Sequence, residues 1–154
     1  MIMKSMVAAL IAGLTLAAPA FADDAADRAQ LAQVNAAFDA TLSRRDIAGL
    51  DAAWVRDESA SAIHPAGKAA ITGWDAVRRS WLATFETFPE LSVTLRDPVV
   101  HVSGDTGWVI GIETVRGRRP TGEVVEFAAL TTNIYQRRDG RWLMVHHHAS
   151  RAPQ

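Results

Sequence analysis

The sequence predicts an α+β fold, with helices first and an antiparallel sheet last. Two observations carry that prediction. Up to Pro89 the apolar residues recur at helical spacing, and from Leu91 onward their period changes to two. Turn signals at Gly104-Asp105, Pro120–Gly122 and Asp139-Gly140 then divide the second half into four strand-like runs. That is the pattern of a meander rather than of alternating strand–helix units.

The chain opens MIMKSMVAALIAGLTLAAPAFADD. Lys4 precedes an apolar run from Met6 to about Ala18 that is too short to span a bilayer, and Ala20-Phe21-Ala22 has the small-residue pattern of a cleavage site. Residues 1–22 are expected to be a secretory signal peptide, the alternative being a permanent N-terminal anchor, and the expected location is periplasmic or secreted. The 132 residues that follow, 23–154, form one domain with 15 basic and 17 acidic side chains. So even a balance gives no reason to expect nucleic acid as a partner. Without a second long apolar run, no stable membrane association is expected after cleavage. The absence of cysteine excludes disulfides, thiol chemistry and thiolate metal sites.

The first helix is expected over roughly residues 24–44, where Leu31, Val34, Phe38 and Leu42 form one stripe. Asp46 is placed to cap a second, short helix whose Ile47, Leu50 and Trp54 share a face. SASAIHPAG reads as a short strand closed by a turn at Pro65–Gly67. Thr72 and Asp75 have capping-box spacing and are expected to open a third helix, with stripe Trp74, Val77, Trp81, Phe85 and Phe88, which Pro89 stops. In the first of the later strands, Pro98 marks a bulge or bend.

The stretches HPAGKAAITGWDAVRRSWLATF, VHVSGDTGWVIGIET and YQRRDGRWLMVHHHAS resemble the SnoaL-like branch of the nuclear transport factor 2-like superfamily. The closing RRDGRWLMVHHHASRAP is similar to the association domain of calcium/calmodulin-dependent protein kinase II. The resemblance covers about residues 28–150. It implies a cone, in which a strongly curved sheet wraps helices and leaves a cavity at the open end. Such cones host ketosteroid isomerases, dehydratases and cyclases as well as proteins that only bind ligands or oligomerise, so fold alone does not give function.

Three consecutive histidines, His146-His147-His148, alternate along a strand, so His146 and His148 share a face and His147 takes the other. Adjacent strand residues cannot close around one ion, so no metal is expected, and no motif asks for a cofactor. One face of the run lines the cavity and the other lies on the outer sheet. His64 ends the first strand where the resemblance places the general-base aspartate of the isomerases, and a histidine there would also move protons near neutral pH. The isomerases' oxyanion tyrosine and protonated aspartate fall at Phe38 and near Thr132-Asn133. The carboxylate-binding arginines of the kinase domain fall at Asn133 and Ala149. Neither set is retained.

The candidate ligand pocket is therefore aromatic: Trp54, Trp81, Phe85, Trp108, Asn133, Tyr135 and His147, with His64 as candidate catalytic residue. Trp74 and Trp142 are expected in the core, and Arg78, Arg79 and Arg116–Arg119 in solvent. Three functions are expected: binding of a small, mostly apolar molecule; isomerase, dehydratase or hydrolase chemistry at His64; or a purely structural dimer. A homodimer is expected through the outer face of the late strands, with Ile134, His146 and His148 on it.

Overall fold

The computed structural model describes residues 23–153, so the expected signal peptide lies outside the described residues. The element order is α1 (Asp23–Arg44), α2 (Ile47–Ala53), β1 (Ser61–Ile63), β2 (Ile71–Thr72), α3 (Trp74–Thr87), β3 (Glu90–Ser103), β4 (Thr106–Arg118), β5 (Val124–Arg138) and β6 (Arg141–Arg151). One six-stranded sheet, in the order β2-β1-β6-β5-β4-β3, curls around the helices without closing. All neighbouring pairs are antiparallel except β1 with β6. Among the described residues no helix is long and apolar enough to cross a membrane.

The core lies between the helices and the concave face. Leu31, Phe38 and Leu42 of α1, Trp74, Val77, Trp81 and Phe85 of α3, and Val93, Val109, Tyr135, Trp142 and Met144 of the sheet are all buried. Helix α1 docks on β3 through Ser43, whose hydroxyl accepts the Val93 N–H at 2.9 Å and lies 3.2 Å from the Val93 carbonyl. Arg137 ties β5 back to α1, paired with Asp27 and 4.5 Å over the Trp142 ring.

Local chemistry explains the element ends. Asp46 caps α2, its carboxylate accepting the Gly49 N–H at 2.9 Å. Asp139 and Gly140 both take positive φ, the type I′ geometry that matches strand twist, between Arg138 and Arg141. The β3–β4 register slips between Arg96 and Val99, where Asp97 takes φ +52° beside Pro98. The expected capping box is not formed. Gly73, at φ +80°, holds the N-cap position of α3 without a side-chain cap. Backbone carbonyls of the 57–60 turn take its place, because Thr72 is held in the unexpected strand β2: Gly73 N–H donates to Ala60 and Trp74 N–H to Asp57.

A second slip, between Ile134 and Tyr135, pairs Ile134 with His146 but Tyr135 with Met144, leaving Val145 as the extra residue of a bulge. Before the bulge Trp142 and Met144 face inward; after it His147 and Ala149 do. The bulge thus turns the histidine run so that His147 enters the cone.

Candidate functional site

The inward rows of β4, β5 and β6 place a polar ladder inside the cone. Asn133 opposes His147 across β5–β6, and Val109 lies on the other side of Asn133. Two steps toward the rim, Glu113 opposes Ala129, which in turn opposes Arg151. Helix α1 adds Asn35, four residues beyond Leu31 of the apolar stripe, and Asp39, four residues beyond Asn35 and on the same face.

One chain of hydrogen bonds links three of these groups, Asn35, Asn133 and His147, with Tyr135. The Asn133 amide donates to Asn35 Oδ1 at 2.8 Å, and the Tyr135 hydroxyl donates to the same oxygen at 2.8 Å. Asn133 Oδ1 is then the acceptor facing His147 Nδ1, 2.8 Å away, so His147 carries its proton on Nδ1. All four residues are at most 2% exposed. Burial, and then the neighbouring His64, keep the His147 imidazole well below the usual histidine range, so it is neutral. Burial likewise keeps the Tyr135 phenol protonated.

His64 follows β1 and turns its ring onto Trp81, with centroids 4.5 Å apart and planes at 86°. The Ser80 hydroxyl donates to the Val77 carbonyl at 2.7 Å, so it accepts from His64 Nε2–H at 2.8 Å. Burial pushes His64 down to about 4. Phe38 completes an aromatic box: it lies 5.8 Å from Trp81 and 6.0 Å from His147, and Trp81 lies 5.2 Å from His147.

Above this box lies a cavity of about 240 Å³. Its walls include Leu42, Trp81, Val93, Val115 and Phe127, with His64, Thr84, Thr87, Glu113, Arg119, His147 and Arg151 as polar or charged members. Glu113 is 2% exposed, and its Oε1 has no hydrogen-bond partner; neither has Trp81 Nε1. Burial, with the nearby Asp39 carboxyl adding to it and the Thr131 hydroxyl opposing, raises Glu113 to about 7. Burial also raises Asp39 to about 7, against the pull of the Leu95 backbone N–H. Among the described residues no group of three or more histidine, aspartate and glutamate side chains is arranged to hold a metal ion.

Of the residues expected in the pocket, His64, Trp81 and His147 line the cavity together. Asn133 and Tyr135 sit behind His147 as its support. The other three need correction. Trp108 lies on the outer face of β4, stacked on His101 at 5.1 Å, because strand alternation puts Gly107 and Val109 inward. Trp54 is 1% exposed and packs under Phe38 and Trp74, in the core rather than on the cavity wall. Phe85 faces a shallow cleft beside Arg45, Ile47 and Pro120, one turn past Trp81 on α3. Glu113 was missed, since an acid in an alternating strand reads as solvent-facing. Its parity with Val109 and Val115 is the signal that would have found it.

The sequence profile of the SnoaL-like domain matches residues 31–154. Among curated proteins the chain is similar to F-box protein SKIP8 of Arabidopsis thaliana, 26% identical over 117 residues; the match covers 76% of this chain but only 47% of that protein, about half its length. Among solved structures, a provisionally named dehydratase of the nuclear transport factor 2-like family from Streptomyces avermitilis is 25% identical with a TM-score of 0.78, covering 85% of this chain and 99% of that one. A protein from Thiobacillus denitrificans, provisionally named a calcium/calmodulin-dependent protein kinase type II association domain, is 30% identical with a TM-score of 0.62, covering 78% and 93%. A nuclear transport factor 2-like protein from Salmonella enterica shares the fold at 17% identity and a TM-score of 0.78, covering 84% and 94%.

Proposed function

The chain belongs to the SnoaL-like domain family, and from that premise we propose that it binds a small, mostly apolar molecule with one polar group, held between α3 and the concave face of the sheet. The observation that carries this reading is the cavity: about 240 Å³ of space whose exposed lining is mostly apolar, with Leu42, Val93, Val115 and Phe127 among its walls. Ala129 and Ala149, both buried on the concave face, help keep that face shallow where larger side chains would fill it. Neutral His147 is held in one tautomer by Asn133, so it presents a fixed hydrogen-bonding edge without the cost of a buried charge. The room suits a compound of one or two rings.

Native mass spectrometry of the purified protein tests this. The expected result is a non-covalent mass addition that organic extraction releases, or saturable calorimetric binding of a two-ring probe such as 1-indanone. Protein that carries nothing and binds no such probe would overturn the reading.

Isomerase- or dehydratase-type chemistry is a second reading, favoured by one observation: a carboxyl group raised to about 7 on the cavity wall. The provisional dehydratase from Streptomyces avermitilis has the same fold at 25% identity. His64 is a weaker base for such chemistry, with Nε2–H donated to Ser80 and its basicity lowered by burial.

Export with cleavage after Ala22 belongs to this proposal, and the intact mass of the secreted protein tests it. So does a homodimer through the outer sheet, where Val99, Ile110 and Leu130 are 47%, 38% and 50% exposed. Sedimentation at micromolar concentration should give twice the monomer mass, and monomer alone would sink the pairing.

A further inference from the structure

We propose that two copies of this chain hold one zinc ion between them through His146 and His148 of each, on the outer face of the sheet and away from the cavity. This rests on the homodimer reading above and deepens it, because each chain supplies only half of the site.

Register carries the argument. On the outer face His146 lies in one cross-strand row with Ile134 and Trp108, and His148 lies in the next row with Thr132, Ile110 and Val99. The bulge at Val145 that sends His147 into the cone sends this pair outward. The two rings stand on the same side of the strand, with centroids 6.4 Å apart and planes at 60°. Small side-chain rotations bring one nitrogen of each onto a common ion, given a Zn–N bond of ~2.0 Å. The Ser61 hydroxyl lies 3.4 Å from the Val145 carbonyl and 2.8 Å from His146 Nδ1. Donating to the carbonyl, it accepts from Nδ1–H and leaves Nε2 as the free nitrogen, the way a ligating histidine is oriented by its neighbour. Burial, and then His148, lower the basicity of His146, so its ring is neutral and its lone pair available near neutrality.

Symmetry supplies the other half. A two-fold axis running between the two rows, parallel to them, sets the two histidines of one copy over the same two of the other. The same operation packs the apolar rows against each other. Stacked sheets lie about 10 Å apart, so their midplane is about 5 Å from each backbone, within reach of an upright imidazole. Four neutral nitrogen donors converging there form the tetrahedral set that zinc takes. Among the described residues one chain alone offers no set of three such ligands. Zinc therefore binds the pair of chains in preference to the single chain, and by linkage it tightens their association.

The test is sedimentation of untagged protein, first freed of metal by a chelator and then titrated with zinc chloride alone, with calorimetry to read the stoichiometry. Zinc at about a hundred times its dissociation constant should tighten the dimer by about a hundredfold, with one ion per two chains. His146→Gln and His148→Gln should each lose most of that tightening. His101→Gln, on the same face but stacked on Trp108 and outside the pair, should keep it. A dimer that zinc leaves unchanged, or one that zinc tightens equally in His146→Gln and His148→Gln, would overturn the proposal and leave the homodimer reading standing. Protein that stays monomeric with and without zinc would overturn both.

Discussion

Replacing Glu113 with Gln should make the protein more stable as the pH rises, by an amount that the structure sets. Burial, and then Asp39, raise this carboxyl from 4.5 to about 7. The folded state therefore holds a proton that the unfolded chain releases between those values. The sign follows by linkage: the contribution of Glu113 to stability is complete below about pH 4.5 and is lost as pH climbs through about 7. A shift of this size at ~1.36 kcal/mol per unit, with the unfolded carboxyl already half ionised at pH 4.5, removes about 3 kcal/mol between pH 4.5 and pH 8.5. Gln keeps the shape and stays neutral throughout. The buried histidines have lowered basicity, so they act in the opposite direction, losing stability as pH falls through the unfolded histidine range. They are common to both proteins and cancel in the difference. Urea unfolding of both proteins at four pH values, followed by tryptophan fluorescence, gives that difference directly. The unfolding free energy of Glu113→Gln minus that of wild type should rise by about 3 kcal/mol across the range. Parallel profiles, agreeing within about 0.5 kcal/mol at every pH, would show that Glu113 ionises as if in water, and the account of the site would fail.

Asn133→Ala removes the acceptor of His147 and one of the two donors to Asn35, and should cost about 2–3 kcal/mol in urea unfolding because buried polar groups are left unpaired. Trp108→Ala should cost only about 1 kcal/mol, as its ring stacks on His101 outside the cone; calorimetry with 1-indanone should give unchanged affinity, and a clear loss would return Trp108 to the cavity. Gly107→Ala would set a Cβ 2.4 Å from Leu31 Cδ2 and 3.2 Å from the His101 carbonyl. With Leu31 fully buried, a melting experiment should show about 1–3 kcal/mol of overpacking.

Where the chemistry was local, the sequence was enough. The α1 stripe of Leu31, Phe38 and Leu42, the Asp46 cap, and the Asp139-Gly140 turn each depend on residues within a few positions of one another. The bulge expected at Pro98 coincides with the slip beside Asp97. Even the order of helices and strands follows from where the apolar period changes. The Thr72–Asp75 box failed for a non-local reason: β1 recruits Thr72 into β2, and the 57–60 turn takes over the end of α3.

Alternation separated His147 from His146 and His148, but it cannot say which set enters the cone. Extending inward-facing Trp142 and Met144 by steps of two would have placed His146 and His148 inside. The extra residue at Val145 reverses that parity, and it is visible only in the pairing of β6 against β5. The same holds for β4, where one step of register separates a cavity wall bearing Trp108 from one bearing Glu113. A carboxyl has no intrinsic preference for the inside of a sheet; Glu113 is buried because Val109 and Val115, on the same face, are drawn to the core. Periodicity along the chain therefore determined which residues travel together, while strand pairing and the bulges decided which face of each set meets the cavity, because a one-residue shift costs nothing locally and exchanges the two faces of a whole strand.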